Sequence, residues 1–195
     1  MRTFRFSFFS GILTIVLLSV AMSVSSAGSL AGSMEQDGEF VRFYADGSKK
    51  ISGSFKNGLP DGVWTRWFAD GKKWEEIRYI EGKINGTGTI WYANGNKRSE
   101  KTFKDNVEEG ITRIWYPNGR PASEITMHNG LPINMVKWDE EGNLTAELSF
   151  NSQGRRSGVV LEWYENGNKR LERTYEDGRL KSEQSWDEEG NPIDI

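Results

Sequence analysis

The chain of 195 residues contains no cysteine and a single histidine, His128. Zero cysteine removes disulfide frameworks, thiolate metal sites and cysteine nucleophiles together. One imidazole leaves no histidine cluster for zinc and argues against a His-based triad. Positive charge is not in excess: 25 Lys and Arg stand against 28 Asp and Glu, so there is no electrostatic footprint for nucleic acid. No G-x-S-x-G elbow occurs, and helical spacing of apolar residues is missing beyond the first residues. What the chain does have is glycine (22) and aromatics, with 8 Trp, 10 Phe and 6 Tyr. At 36% hydrophobic and 27% charged it falls in the globular range.

The only long apolar run is at the N-terminus. Residues 1–27 combine Arg2 and Arg5, an apolar stretch from Ile12 to Val24, and small residues at Ser25 and Ala27. That order is the order of a secretory signal with cleavage after Ala27. The rival reading is an uncleaved anchor, since Phe6 to Ala27 carries no charge. Either way the expected location is exported, periplasmic or secreted, with membrane attachment if the segment stays. Residues 28–39 read as a flexible linker, and residues 40–195 as one repeat domain.

The repeat is visible as an aromatic followed by a turn ending in glycine: FYADG at 43, WFADG at 67, WYANG at 91, WYPNG at 115, WDEEG at 138, WYENG at 163 and WDEEG at 186. The intervals are 24, 24, 24, 23, 25 and 23 residues. A second glycine tracks it at 58, 82, 130, 154 and 178, with Asn106 in the gap, and a third at 62, 86, 110 and 158. A fixed period of this length is the mark of a stacked repeat.

Inside each unit the residues alternate over short aromatic and β-branched runs, so each unit is two strands. Asp-Gly or Asn-Gly makes one turn and the Gly-x-x-x-Gly run the other. The expected fold is all-β: six to seven antiparallel β-hairpin repeats of ~24 residues forming an elongated, twisted meander. A three-residue loop, Ala69-Asp70-Gly71, would pair Phe68 with Lys72 and Trp67 with Lys73. Carried along the strands, that register gathers Val63, Trp67, Ile77 and Tyr79 on one face. The Trp column (Phe43, Trp67, Trp91, Trp115, Trp138, Trp163, Trp186) is then expected beside the Phe55/Tyr79/Phe103 column as core. The opposite face would hold Glu76, Glu100, Glu124, Glu147 and Glu172 together with Tyr44, Phe68, Tyr92, Tyr116 and Tyr164.

Tyr79, Gly82, Gly86, Gly88, Tyr92 and Gly95 stand at the offsets of a known unit, and Ile51–Phe55 followed by Gly58 and Gly62 matches its opening. The pattern resembles the MORN repeat (membrane occupation and recognition nexus). The WY-x-N-G-x-K-x-x-E form at 91 and 163 is similar to the bacterial variant found in YwqK-type antitoxins. The likeness covers about 40–195, departing where Thr112 or Val160 replaces Gly88 and where Asn134 and Ser182 replace the third glycine. It implies hairpins in an elongated sheet and a binding or scaffolding role. The antitoxin label further implies a toxin that the protein neutralises.

Paired glutamates run glycosidase chemistry at ~5–9.5 Å, but an open sheet face has no pocket to keep one carboxyl protonated. Solvated, ion-paired positions are the better reading of the Glu column. Asp139-Glu140-Glu141-Gly142-Asn143 and Asp187-Glu188-Glu189-Gly190-Asn191 lack the spacing of a calcium loop, and His128 reads as surface. The expectation is therefore a protein that is not an enzyme, with no cofactor and no metal. The Tyr and Glu columns would contact a protein partner. Glycan or choline-type binding through the aromatics, membrane-surface contact, immunity against a toxin, and self-association through sheet edges are the other expectations.

Overall fold

The computed structural model describes residues 37–193; the expected leader, and most of the expected linker, lie outside the described residues. Within them the chain forms sixteen strands in one open antiparallel sheet: β1 (Gly38–Phe43), β2 (Lys49–Lys56), β3 (Leu59–Trp67), β4 (Lys73–Ile80), β5 (Lys83–Ile84), β6 (Gly86–Trp91), β7 (Lys97–Lys104), β8 (Val107–Glu108), β9 (Gly110–Trp115), β10 (Pro121–His128), β11 (Leu131–Trp138), β12 (Leu144–Ser149), β13 (Gly158–Trp163), β14 (Lys169–Glu176), β15 (Arg179–Trp186) and β16 (Pro192–Ile193). β5 and β6 both pair with β4, and β8 and β9 both pair with β7, so each is one strand interrupted at Asn85 or Glu109. Every strand pairs with its neighbour in sequence, so the sheet is a meander of hairpins.

Two turn types alternate from β1 to β12, and between β12 and β13 the longer type recurs, from Asn151 to Arg155, in place of the shorter. At Asn57-Gly58, Glu81-Gly82, Asp105-Asn106, Asn129-Gly130 and Asp177-Gly178 both residues have positive φ, for example 50° and 78° at Glu81-Gly82. That is the two-residue type I′ hairpin, whose twist matches the strands. The other turn is the expected three-residue loop: Phe68 N–H donates to Lys72 O at 2.8 Å and Gly71 N–H to Phe68 O at 3.0 Å.

Beyond that loop the structure corrects the expected register. Trp67 does sit opposite Lys73, but Trp74 is then bulged out, and pairing resumes as Arg66 with Glu75, Thr65 with Glu76, Trp64 with Ile77 and Gly62 with Tyr79. One extra residue swaps the face of everything past it. Ile77 and Tyr79 therefore share a face with Trp64, while Val63 and Trp67 share one with Glu76. The same bulge recurs beside Phe43, Trp91, Trp115, Trp138 and Trp163.

The physical reason is visible at the bulged residue in four of these repeats. Lys50 lies over the Tyr44 ring at 5.3 Å, Arg98 over Tyr92 at 5.8 Å and Arg170 over Tyr164 at 5.8 Å. Where the bulged residue is Trp74 the column residue is Phe68, and the two rings stand 6.3 Å apart. In each case the extra residue covers the aromatic at the start of the loop.

The apolar side of the sheet has its densest packing near the N-terminal end. Trp64, 7% exposed, and Phe55, 8%, meet edge-to-face at 5.0 Å, with Phe40 at 5.4 Å and Tyr79 at 6.3 Å from the same indole. The indole lies flat across Gly53, where an added Cβ would come within 2.2 Å of Trp64 Cδ2. Further along, the same side carries the buried Ser99, Thr112, Ser123, Val160 and Leu171. Lys101 Nζ reaches Glu108 at 2.9 Å there, and Thr112 donates its hydroxyl to the other Glu108 oxygen. No repeat covers its own apolar side, so stability accumulates from neighbours.

Candidate interaction face

The bulges bring the Trp and Glu columns together on the second side of the sheet. Cross-strand pairing alternates them with lysine: Phe43 opposite Lys49, Trp67 opposite Lys73, Trp91 opposite Lys97 and Trp163 opposite Lys169. Each lysine then reaches the next repeat. Lys49 Nζ lies 6.0 Å from the Trp67 ring centre, Lys73 5.7 Å from Trp91, Lys97 5.7 Å from Trp115 and Lys169 5.0 Å from Trp186. Three of the ammonium groups are held in place by the glutamate three residues on: Lys73–Glu76 at 2.5 Å, Lys97–Glu100, and Lys169–Glu172 at 2.8 Å. The bulge at the intervening residue is what puts positions i and i+3 of one strand on the same side.

Beside this ladder runs a second row, Thr65, Glu76, Thr89, Glu100, Arg113, Glu124, Val136, Glu147, Leu161, Glu172 and Gln184, each opposite the next. Arg113 Nε bonds Glu124 at 3.0 Å and its guanidinium lies 3.9 Å from Glu100. Glutamates of this row are two strands apart, about 9.6 Å from the inter-strand spacing.

The tyrosines are elsewhere. Phe68 and Trp74 stack on the side where Arg66 meets Glu75 at 3.2 Å, opposite to Glu76. The expectation that the Tyr and Glu columns share a face is therefore corrected, and the bulge is again the cause. The tyrosine hydroxyls bond across the repeat boundary to the backbone: Tyr44 to Trp67 O at 2.7 Å, Tyr92 to Trp115 O at 2.9 Å, Tyr116 to Trp138 O at 2.8 Å, and Tyr164 to Trp186 O at 2.9 Å. Phe68 has no hydroxyl to give. Burial and the nearby Glu140, Asp139 and Glu141 push the Tyr116 hydroxyl up.

Other singled-out residues are used locally. Asp139 and Asp187 accept from the side chain and backbone of Asn143 and Asn191, which hold both carboxyls below the usual range. His128 Nδ1 lies 2.8 Å from Glu109 Oε1, whose partner oxygen accepts from Asn129 N–H at 2.7 Å. Those bonds keep Glu109 below its ordinary value, the backbone bond first. Among the described residues no three His, Asp or Glu side chains group to hold a metal ion. On the apolar side, burial pushes Glu75 up, against the pull of Arg66.

Sequence reasoning missed Trp64, which lies outside the Trp column, and the tyrosine staples. The lysine recurring six residues after Phe43, Trp67, Trp91 and Trp163 was the available signal for the ladder.

The fifth unit is the irregular one. There the ladder partner is Leu144 for Trp138, and in the unit before it Pro121 already stands where lysine would face Trp115. A half-open cleft of about 450 Å³ lies at the other end of its strands, walled by Leu131, Pro132, Ile133 and Phe150. A family model described as MORN repeat variant matches residues 36–57, 60–81, 84–105, 108–129 and 156–177, and passes over this unit. No curated protein matches the chain.

Proposed function

Since the chain belongs to the MORN repeat variant family, whose repeats are non-enzymatic modules for binding protein or lipid, we propose that it is a protein-binding scaffold of the cell envelope. The observation that carries this reading is the row of Glu76, Glu100, Glu124, Glu147 and Glu172 along one side of the open sheet. Membrane surfaces present anionic headgroups and attract polybasic segments. On this side Glu76, Glu100, Glu124 and Glu172 are balanced by Lys73, Lys97, Arg113 and Lys169. The ladder therefore offers a mixed, patterned charge rather than a polybasic run, which suits a protein of complementary pattern. The half-buried indoles between the charges supply the apolar contact that a protein interface needs. The tyrosines hold one repeat to the next beneath this contact side rather than forming it. Export rests on the leader, Arg2 to Ala27, and N-terminal sequencing of the cell-associated protein tests it.

The test of function is capture of partners from envelope extract, set beside sedimentation with vesicles rich in anionic lipid. Partner capture lost in the triple variant Glu100→Gln, Glu124→Gln, Glu147→Gln is the expected result. Vesicle binding that survives the triple variant, with no protein captured, overturns it.

A further inference from the structure

The indole column is capped by lysine in four places and left uncapped in two. At Trp91, Trp115 and Trp186 the cap is a lysine of the preceding repeat, itself bonded to a glutamate three residues on; at Trp67 the lysine is Lys49 and the third residue is Ser52. At Trp138 and Trp163 the capping positions are Pro121 and Leu144. The glutamates that would hold the ammonium are retained, as Glu124 and Glu147. Proline and leucine provide apolar floor where a lysine stem would run, and both end short of where its ammonium would lie. Glu147 is exposed, stands between Val136 and Leu161, and is in no ion pair among the described residues, unlike Glu76, Glu100, Glu124 and Glu172.

We propose that Trp163 with Glu147, and Trp138 with Glu124, are two lysine slots kept open for a partner, and that they receive a Lys-x-x-Lys segment in polyproline II conformation laid across the strands. This rests on the scaffold reading above and names the chemistry of the partner. The recognition mode is copied from the chain itself, which shows with Lys73, Lys97 and Lys169 that an ammonium fits between indole and carboxylate here. Spacing selects the conformation. The slots are two strands apart, about 9.6 Å. A polyproline II helix returns to the same side every third residue, after about 9.3 Å. An extended strand repeats its side chains at about 6.7 Å and misses the second slot. Glu147 sets the order of strength, since Glu124 already shares its carboxylate with Arg113.

The experiment is titration of the full chain with the peptide Lys-Pro-Pro-Lys, blocked at both ends, followed by tryptophan fluorescence and calorimetry. Three comparisons decide it. Norleucine in place of both lysines removes the ammonium groups. Lys-Pro-Lys shortens the spacing. Leu144→Lys fills the stronger slot with the chain's own ammonium, restoring the pattern of the other repeats and so keeping the fold; Leu144→Met is its control. Binding weakened about tenfold for Lys-Pro-Lys and for Leu144→Lys is expected from one lost cation–π contact and one ion pair, with a larger loss for the norleucine peptide, which forfeits both slots, and no change in Leu144→Met. Equal binding of the norleucine peptide, or by Leu144→Lys, overturns the proposal. If the peptide fails while partner capture persists, the slots fall and the scaffold reading stands; if capture fails as well, both fall.

Discussion

The hydroxyl of Tyr92 donates to the carbonyl oxygen of Trp115, twenty-three residues on, at 2.9 Å. The bond crosses from one repeat to the next at the loop end of the sheet, and Tyr44, Tyr116 and Tyr164 repeat it. Phe68 is the one aromatic in the column without it.

Tyr92→Phe should therefore destabilise by about 0.5–1.5 kcal/mol, the net worth of one hydrogen bond. Phe68→Tyr should recover part of that amount by bonding the Trp91 carbonyl. Urea unfolding checks both; a Phe68→Tyr midpoint below that of the parent speaks against the staple.

Gly53 is the floor for the Trp64 indole, and a methyl there collides with ring atoms at 2.2–2.6 Å. Gly53→Ala should cost about 1–3 kcal/mol by overpacking. Trp64→Leu should itself be destabilising but make the alanine much cheaper, a coupling that a double-mutant cycle reads directly.

Gly71 and Gly82 both have positive φ, 84° and 78°. A methyl added at Gly71 meets open space, whereas one added at Gly82 stands 3.3 Å from Leu59 Cδ2. Gly71→Ala should cost about 1 kcal/mol from backbone strain alone, and Gly82→Ala more. Equal unfolding midpoints for the two variants would show that the Leu59 contact is irrelevant.

The pH dependence has two opposing parts. Asp139, Asp187 and Glu109 have folded values held down by hydrogen bonds, so they contribute stability that is complete above their unfolded values and lost as pH falls through the folded ones. Glu75 has its folded value raised by burial, so stability drops as pH rises from its unfolded value through the folded one. Glu75→Gln should abolish that second loss and leave the acid limb intact. Thermal unfolding from about pH 3 to about pH 7, in roughly half-unit steps, distinguishes the two.

The period, the strand count per repeat and the turn positions were legible because glycine and asparagine mark positive φ, and Asn57-Gly58 or Asn129-Gly130 admits few other conformations. The faces were not. A bulge at Trp74 or Arg98 leaves no mark in an alternation pattern, since the side chain that flips is replaced by another of similar character. What favours the bulge is a contact made across the loop, the stacking of Arg98 on Tyr92 or of Trp74 on Phe68, and no strand read singly contains it. The glutamate row was found in sequence, but its neighbours became visible only once lysine, indole and carboxylate were seen on one side.

Because each strand is bonded only to those before and after it in the chain, tension applied at the two ends is borne by one pair of strands at a time. Such a sheet yields like a zipper, hairpin by hairpin, and reforms from short-range contacts as quickly when released. Held at its two ends it would act as an extensible tether, lengthening under load at modest force instead of transmitting that load to whatever it holds.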